Sequence, residues 1–258
     1  MIATSHNRLL MTEFNFLGGK IRLQQAETGH RSGTDAVLLA ATVPASFTGS
    51  VVDAGSASGA VGLSVAARVL GSKITCIELD PDEANLARAN ILANGFQDRA
   101  SVIEADLMAD FKHRERAGLT GGEADWVLTN PPYLTEGKMR ASPDPARQRA
   151  HMMPEEGLDR WIVACHALLK PRGRLTLIHR VDALQEILEA LSGRFGDVRI
   201  LPIYAHATGT ATRLMVEATK GSRAPLTLLS GLTLHEPDGA FTPLADALHK
   251  GDAALSFV

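Results

Sequence analysis

The sequence predicts an α/β fold, with a mostly parallel seven-stranded sheet covered by helices on both faces. Three observations carry this. From Val51 onward, short β-rich runs alternate with amphipathic helical segments. The first run, Val51 to Ala54, feeds a glycine-bearing turn, Gly55-Ser56-Ala57-Ser58-Gly59, and then a helical segment. The early connections have the length of βαβ crossovers, which place neighbouring strands parallel.

Taken in order, Phe14-Asn15-Phe16 and Lys20-Ile21-Arg22-Leu23 flank Gly18-Gly19 and read as a hairpin. Thr34 to Ala41 is apolar and helical, with Thr34 or Asp35 expected to start it. Strands are expected over 51–54, 74–78, 100–104, 124–129, 173–179, 198–204 and 212–218, and helices over 60–70, 81–94, 155–169 and 181–192. Pro81 suits the first turn of the second of these helices and Gly95 its end. Residues 111–123 read as a surface connection. Residues 134–154 form a long polar segment, a length usually kept for function. After Gly221 an extended tail is expected to pack on the domain. The whole chain, 1–258, is read as one domain with an N-terminal extension (1–50) and a C-terminal tail (221–258).

A chain of 258 residues that is 45% hydrophobic can bury a sizeable core. No apolar run reaches the length of a membrane span, and Met1 to Thr12 lacks a signal peptide's apolar core, so a cytoplasmic protein is expected. Cys76 and Cys165 lie in apolar periodic segments and read as buried thiols. The histidines show no ligand spacing, and no metal is expected. A net charge of −3 argues against a protein that coats nucleic acid indiscriminately, but leaves room for a local basic patch.

The glycine turn fails the dinucleotide fingerprint, because Ala57 stands where the middle glycine is required. The acids that follow the strands narrow the ligand. Glu78 ends the second strand, where a carboxylate can accept both ribose hydroxyls. Asp106, just past the third, can accept from an adenine amino group. Asp53, before the turn, can attract an ammonium. Three acids would repel a pyrophosphate. An ammonium, a ribose and an adenine together describe S-adenosylmethionine.

The fourth strand ends in Asn130-Pro131-Pro132-Tyr133. Asn130 and Pro131 each precede a proline and are pushed toward extended geometry. The prolines lack donors, so the segment presents acceptors. The Asn130 side-chain carbonyl and the Pro131 main-chain carbonyl can take the two hydrogens of one NH₂ group, and Tyr133 offers a face for a planar group. This suits an amino nitrogen whose lone pair is delocalised, for which alignment matters more than a strong base. Transfer to oxygen would call for a base or metal, and neither is evident.

These motifs, Asp53-Ala54-Gly55, Glu78, Asp106 and Asn130 to Tyr133, resemble the ordered motifs of class I, Rossmann-like methyltransferases that act on amino nitrogens. The hairpin, Gly33-Thr34-Asp35-Ala36-Val37-Leu38-Leu39 and Arg213-Leu214-Met215-Val216-Glu217 resemble one branch, the bacterial tRNA (adenine-N6) methyltransferases acting on the valine tRNA anticodon loop. The resemblance implies S-adenosylmethionine as cofactor, with Asp53, Gly55 and Gly59 at its methionine part. Glu78 would then lie at the ribose, Asp106 at the adenine, and Thr34 and Asp35 near the pocket. Asn130, Pro131 and Tyr133 would hold the target base. It further implies a tRNA partner and a monomer or weak homodimer. Family members often carry glycine where this chain has Ala57, which would tighten the turn.

An RNA substrate needs cations for its phosphates. Lys138, Arg140, Arg147, Arg149 and His151 follow Tyr133, with Asp144 the one acid within 138–151. Arg213, Lys220 and Arg223 would add to that surface. The alternatives are a protein glutamine methyltransferase, another RNA or small-molecule methyltransferase (O-methyl transfer included), and a nucleotide-binding module without transfer activity. About fifty residues precede the glycine turn, which disfavours the separate helical substrate domain of glutamine methyltransferases.

Overall fold

The computed structural model describes residues 11–26, 33–132, 134–135, 152–153 and 157–257. A hairpin of β1 (Met11–Phe16) and β2 (Ile21–Ala26) precedes α1 (Thr34–Ala41). The sheet then begins: β3 (Gly49–Ala54), α2 (Ala60–Arg68), β4 (Ser72–Glu78), α3 (Pro81–Ala93), β5 (Ala100–Glu104), α4 (Phe111–Arg116) and β6 (Ala124–Thr129). A short parallel pair, β7 (Leu134–Thr135) with β8 (Met152–Met153), stands apart from it. The chain continues through α5 (Gly157–Leu168), β9 (Leu169–Arg180), α6 (Leu184–Leu191), β10 (Phe195–His206) and β11 (Ala211–Lys220). It closes with β12 (Thr227–Leu228), β13 (Leu232–His235) and α7 (Pro243–His249).

All seven expected strands lie in one sheet, in the order β10-β11-β9-β6-β3-β4-β5; β12 and β13 both pair with β10 and bring it to nine. The pairs β3/β4, β4/β5, β3/β6 and β6/β9 are parallel, whereas β11 runs antiparallel to both its neighbours. The chain winds outward from β3 to β5, then returns to β6 on the other side of β3. In such sheets the crevice at this reversal, beyond the carboxyl ends of the strands, receives ligands.

Side chains alternate across the strands and build a core on each face. Val51, Trp126 and Leu128 meet α1, α2 and the hairpin on one face. Val52, Val127, Leu175 and Leu177 meet α5 and α6 on the other. Both cysteines are buried and free, as expected, and burial pushes both thiols well up. Among the described residues, no helix is long and apolar enough to cross a membrane.

Local chemistry explains most boundaries. Asp80 caps α3, accepting from the amides of Asp82 (2.8 Å) and Glu83 (3.3 Å), and Pro81 takes its first turn. Gly95, at φ 71°, follows its end. At α1, Gly33 rather than Thr34 or Asp35 holds the cap position, and it makes no side-chain cap bond. Two expectations are corrected. Residues 111–123 contain α4, a helix with no buried residue and hence no apolar period to read, started by Asp110 accepting from the His113 amide at 3.0 Å. The tail after Gly221 is not merely extended. It adds two short strands beside β10 and then α7, which Thr242 caps and Pro243 opens.

Arg68 joins elements distant in sequence. Its guanidinium donates to the carbonyls of Ala40 (2.8 Å), in the last turn of α1, and Val43 (3.3 Å), just past its end, and to Ala253 (2.9 Å) in the C-terminal segment. Helix-end carbonyls have no partner within their own helix. Replacing Arg68 with Met keeps the packing of the stem but loses these charge-assisted bonds. Arg68→Met is expected to lower the free energy of unfolding by about 2 kcal/mol, measured by urea denaturation.

Candidate active site

The carboxyl ends of β3, β4, β5 and β6 share one edge, and the turn after β3 is stitched to its neighbours. The amides of Gly55 and Ser56 both donate to Ile77 O, at 2.9 and 3.0 Å. The Ala105 amide donates to Glu78 O at 2.9 Å, joining the end of β5 to that of β4. Two glycines in the turn are required by backbone angle, and space around them is tight. Gly55 has φ 74°, and an added Cβ would lie 3.0 Å from the Trp161 ring; Gly59 has φ 85°, and an added Cβ would lie 2.7 Å from Leu63 Cδ1.

The three strand-end acids occupy different environments. Asp53 is 1% exposed. It does not open toward solvent: Oδ2 accepts from the Gly62 amide in the first turn of α2 at 2.9 Å. Burial pushes its carboxyl up to about 7, opposed by the Gly62 amide, with the charge of Glu78 adding to the rise. Glu78 is half-buried. Its Oε2 accepts from the Ala57 amide at 2.7 Å, and its Oε1 from the amides of Leu79 and Asp80 at 2.8 and 2.9 Å. A carboxylate has about four lone-pair sites, and these three amides leave about one for a further donor. Asp106 is exposed, and its Oδ1 accepts from the Met108 amide at 2.8 Å.

Asn130 follows β6 directly. In the parallel register Ala54 faces Thr129, so the start of the glycine turn and Asn130 sit on adjacent strands, a spacing of about 4.8 Å. Thr129 locks the two together: its hydroxyl donates to Ala54 O (2.8 Å) and accepts from Trp161 Nε1 (2.9 Å). Pro131 is buried and Pro132 half-buried. Thr34 and Asp35 stand at the start of α1, where Thr34 Oγ1 lies 3.1 Å from His249 Nε2 and Asp35 accepts from Arg213 Nε at 3.2 Å. Tyr133, Lys138, Arg140, Arg147, Arg149 and His151 lie outside the described residues.

Sequence reasoning missed the backing of the turn. Ser58 O accepts from Asn90 Nδ2 at 3.0 Å, and Ser58 Oγ from Gln25 Nε2 at 3.2 Å. A signal was available: Asn90 falls on the inward stripe of α3 with Ala84, Leu86, Ala87 and Ile91, and a polar residue at such a position must have partners. Trp161, from α5, was missed as well, and spacing could not have found it.

Two expectations concern the turn. Ala57 has φ 45°, in the left-handed region that costs a residue with a Cβ about 1–2 kcal/mol. Ala57→Gly relieves this and loses part of the gain to unfolded-state entropy, so Tm should rise by about 1–2 °C in calorimetry. Asp53 is held above its ordinary value of 3.8, so the folded chain binds its proton more tightly than the unfolded chain. Its contribution to stability is therefore lost as pH rises from about 4 to about 7. Asp53→Asn keeps an acceptor for the Gly62 amide and removes the titration. The fall in urea-unfolding free energy between about pH 4.5 and 7.5 should shrink by roughly 2–4 kcal/mol.

A family model described as the methyltransferase small domain matches residues 31–204. A tRNA1(Val) (adenine(37)-N6)-methyltransferase of Porphyromonas gingivalis is 31% identical over 86% of this chain and 88% of its own. A release factor glutamine methyltransferase of Chlorobaculum tepidum is 29% identical over 60% of this chain and 53% of its own. Among solved structures, an Agrobacterium tumefaciens protein, Atu636, described as a predicted O-methyltransferase, superposes with a TM-score of 0.73. It is 34% identical and covers 86% of this chain and 98% of its own. An O-methyltransferase of Thermotoga maritima shares the fold at a TM-score of 0.52 and 20% identity. The sheet order agrees with these matches: the chain belongs to the methyltransferase small-domain family and is an S-adenosylmethionine-dependent methyltransferase of the class I, Rossmann-like fold.

Proposed function

We propose that this enzyme methylates the N6 amino group of an adenine in RNA, in the anticodon loop of a tRNA. One observation carries the reading. Asn130 sits at the topological reversal of the sheet, one strand from the glycine turn, so a planar amine held there lies next to the cofactor's place. The similarity to a tRNA adenine-N6 methyltransferase over 88% of that enzyme's length supports the choice of acceptor.

The residues present fit S-adenosylmethionine, which supplies a methyl group on an electrophilic sulfonium. Glu78 would accept a ribose hydroxyl with the lone-pair site its three amides leave. Asp106 would accept from the adenine amino group. Gly55 and Gly59 let the backbone approach the methionine part, and Asp53 acts through the turn it braces. Thr34 and Asp35 would close the pocket from α1. The Asn130 side-chain carbonyl and the Pro131 carbonyl each take one hydrogen of the target NH₂. Both acceptors strengthen as positive charge builds on the nitrogen, and so favour the transition state over the ground state. Tyr133 would stack on the base, which must leave its loop to arrive there. Lys138, Arg140, Arg147 and Arg149 supply cations for the flanking phosphates.

A glutamine carboxamide has the same NH₂ geometry, and the Chlorobaculum tepidum relative keeps that second reading alive, though it is matched over only 53% of its length. Methyl transfer from labelled S-adenosylmethionine to total tRNA, followed by nucleoside analysis, should yield N6-methyladenosine. Another nucleoside, or label on protein alone, would refute the proposed acceptor. Asn130→Ala should lower transfer by at least about 100-fold while cofactor affinity stays within about twofold, because the loss falls on the transition state.

A further inference from the structure

We propose that Asn90 is a positioning residue for the cofactor, coupling the N-terminal hairpin to the glycine turn. This rests on the reading of residues 55–59 as the cofactor turn. The side chain of Asn90 is fully buried and makes three hydrogen bonds, two to Gln24 and one to Ser58. Its Oδ1 accepts from the Gln24 amide at 2.9 Å, and its Nδ2 donates to Gln24 O at 2.9 Å and to Ser58 O at 3.0 Å. One turn later Asn94 repeats the pattern: Oδ1 accepts from the Arg22 amide at 2.8 Å, and Nδ2 donates to Arg22 O at 2.7 Å. Two side-chain amides, one on α3 and one at its C-terminal cap, therefore stand where a neighbouring strand would pair with β2. Gln25, 4% exposed, adds its own bond to the hydroxyl of Ser58, 2% exposed.

The turn is thus held from two sides. Glu78 grips it at the Ala57 amide from the sheet, and Asn90 grips it at the Ser58 carbonyl from α3. Of these two grips only the second reaches the hairpin. If Ser58 O shifts, Asn90 must give up a bond or turn with it, and the backbone of β2 follows. Cofactor binding at the turn and docking of the hairpin then share Asn90, with the Gln25 bond beside it, and any coupling between them must be reciprocal. A buried asparagine that served packing alone would lower stability when removed but would carry no such linkage.

Both directions can be read with S-adenosylhomocysteine as the probe. Lys20 and Arg22 are exposed on the hairpin and mark trypsin sites. In the wild type, saturating S-adenosylhomocysteine should slow cleavage after Lys20 and Arg22 by about tenfold, within the usual range of coupling between sites. Asn90→Ala should bind S-adenosylhomocysteine about tenfold more weakly by calorimetry, raise KM for S-adenosylmethionine in parallel, and leave kcat within about twofold. Held at the same multiple of its own Kd, it should lose most of the protection of the hairpin, down to about the threefold that the Gln25 bond supplies. Unchanged affinity, or weakened affinity with protection intact, would overturn the proposal. Should Asn90→Ala fail to fold, Gln25→Ala removes only the bond to the Ser58 hydroxyl. It should shift affinity and cleavage the same way by about threefold, and no shift in either would count against the coupling. A folded wild type that bound no S-adenosylhomocysteine would refute the reading of the turn itself, a result distinct from a variant that binds as the wild type does.

Discussion

The parallel register of β6, β3, β4 and β5 is the constraint on which the site depends. Parallel pairing puts four carboxyl ends on one edge, so residues separated by many positions in sequence become neighbours without a dedicated contact. Ala54 faces Thr129, Ala54 also faces Ile77, and Glu78 faces Glu104. Each strand then needs only one or two residues past its end to reach the crevice. Thr129 and Glu78 convert this alignment into fixed geometry, the first by bonding Ala54 O, the second by drawing the Ala57 amide toward β4.

The edge also sorts its acids by solvent. Asp53 is enclosed, Glu78 half-buried and Asp106 open. Burial makes the first carboxyl costly to ionise, and its bond goes to the start of α2. On the proposed reading, the three acids divide their work by depth. The deepest shapes the turn, the middle one both shapes and binds, and the outermost is free to read the adenine. Residues of one chemical kind acquire separate duties from environment alone.

How much of this was legible follows physical lines. The central strands and helices were legible because burial writes a period into sequence. The candidate residues at strand ends were legible because short motifs sit at fixed offsets from those periods. The failures share a cause. The surface helix α4 buries nothing and leaves no period. The pairing of β12 and β13 with β10 is decided by a distant partner rather than by their own two and four residues. Trp161 acts across elements, and no spacing along α5 encodes that, whereas Asn90 betrayed itself only as a polar residue on the inward stripe of α3, without naming its partners. The start of α7 is different: Thr242 followed by Pro243 is a helix-start signal, and it was there to be used. Ala57 was visible as a departure from glycine, but only the structure gives its left-handed backbone and its bond to Glu78.

The bonds between the two ends of the described chain have a consequence for synthesis. Arg68 reaches Ala253, the Leu255 amide donates to Ala41 O, Arg199 donates to Phe257 O, and Lys20 pairs with Asp252. A ribosome delivers the glycine turn and its neighbouring helices long before residues 252–257 exist. Until then the Ala41 carbonyl at the end of α1 lacks its partner, and the apolar face that Leu255 and Phe257 cover stays open to water. The nascent enzyme must therefore wait in a partly closed form, exposed to chaperones and proteases, and a message cut short before codon 252 would leave it there.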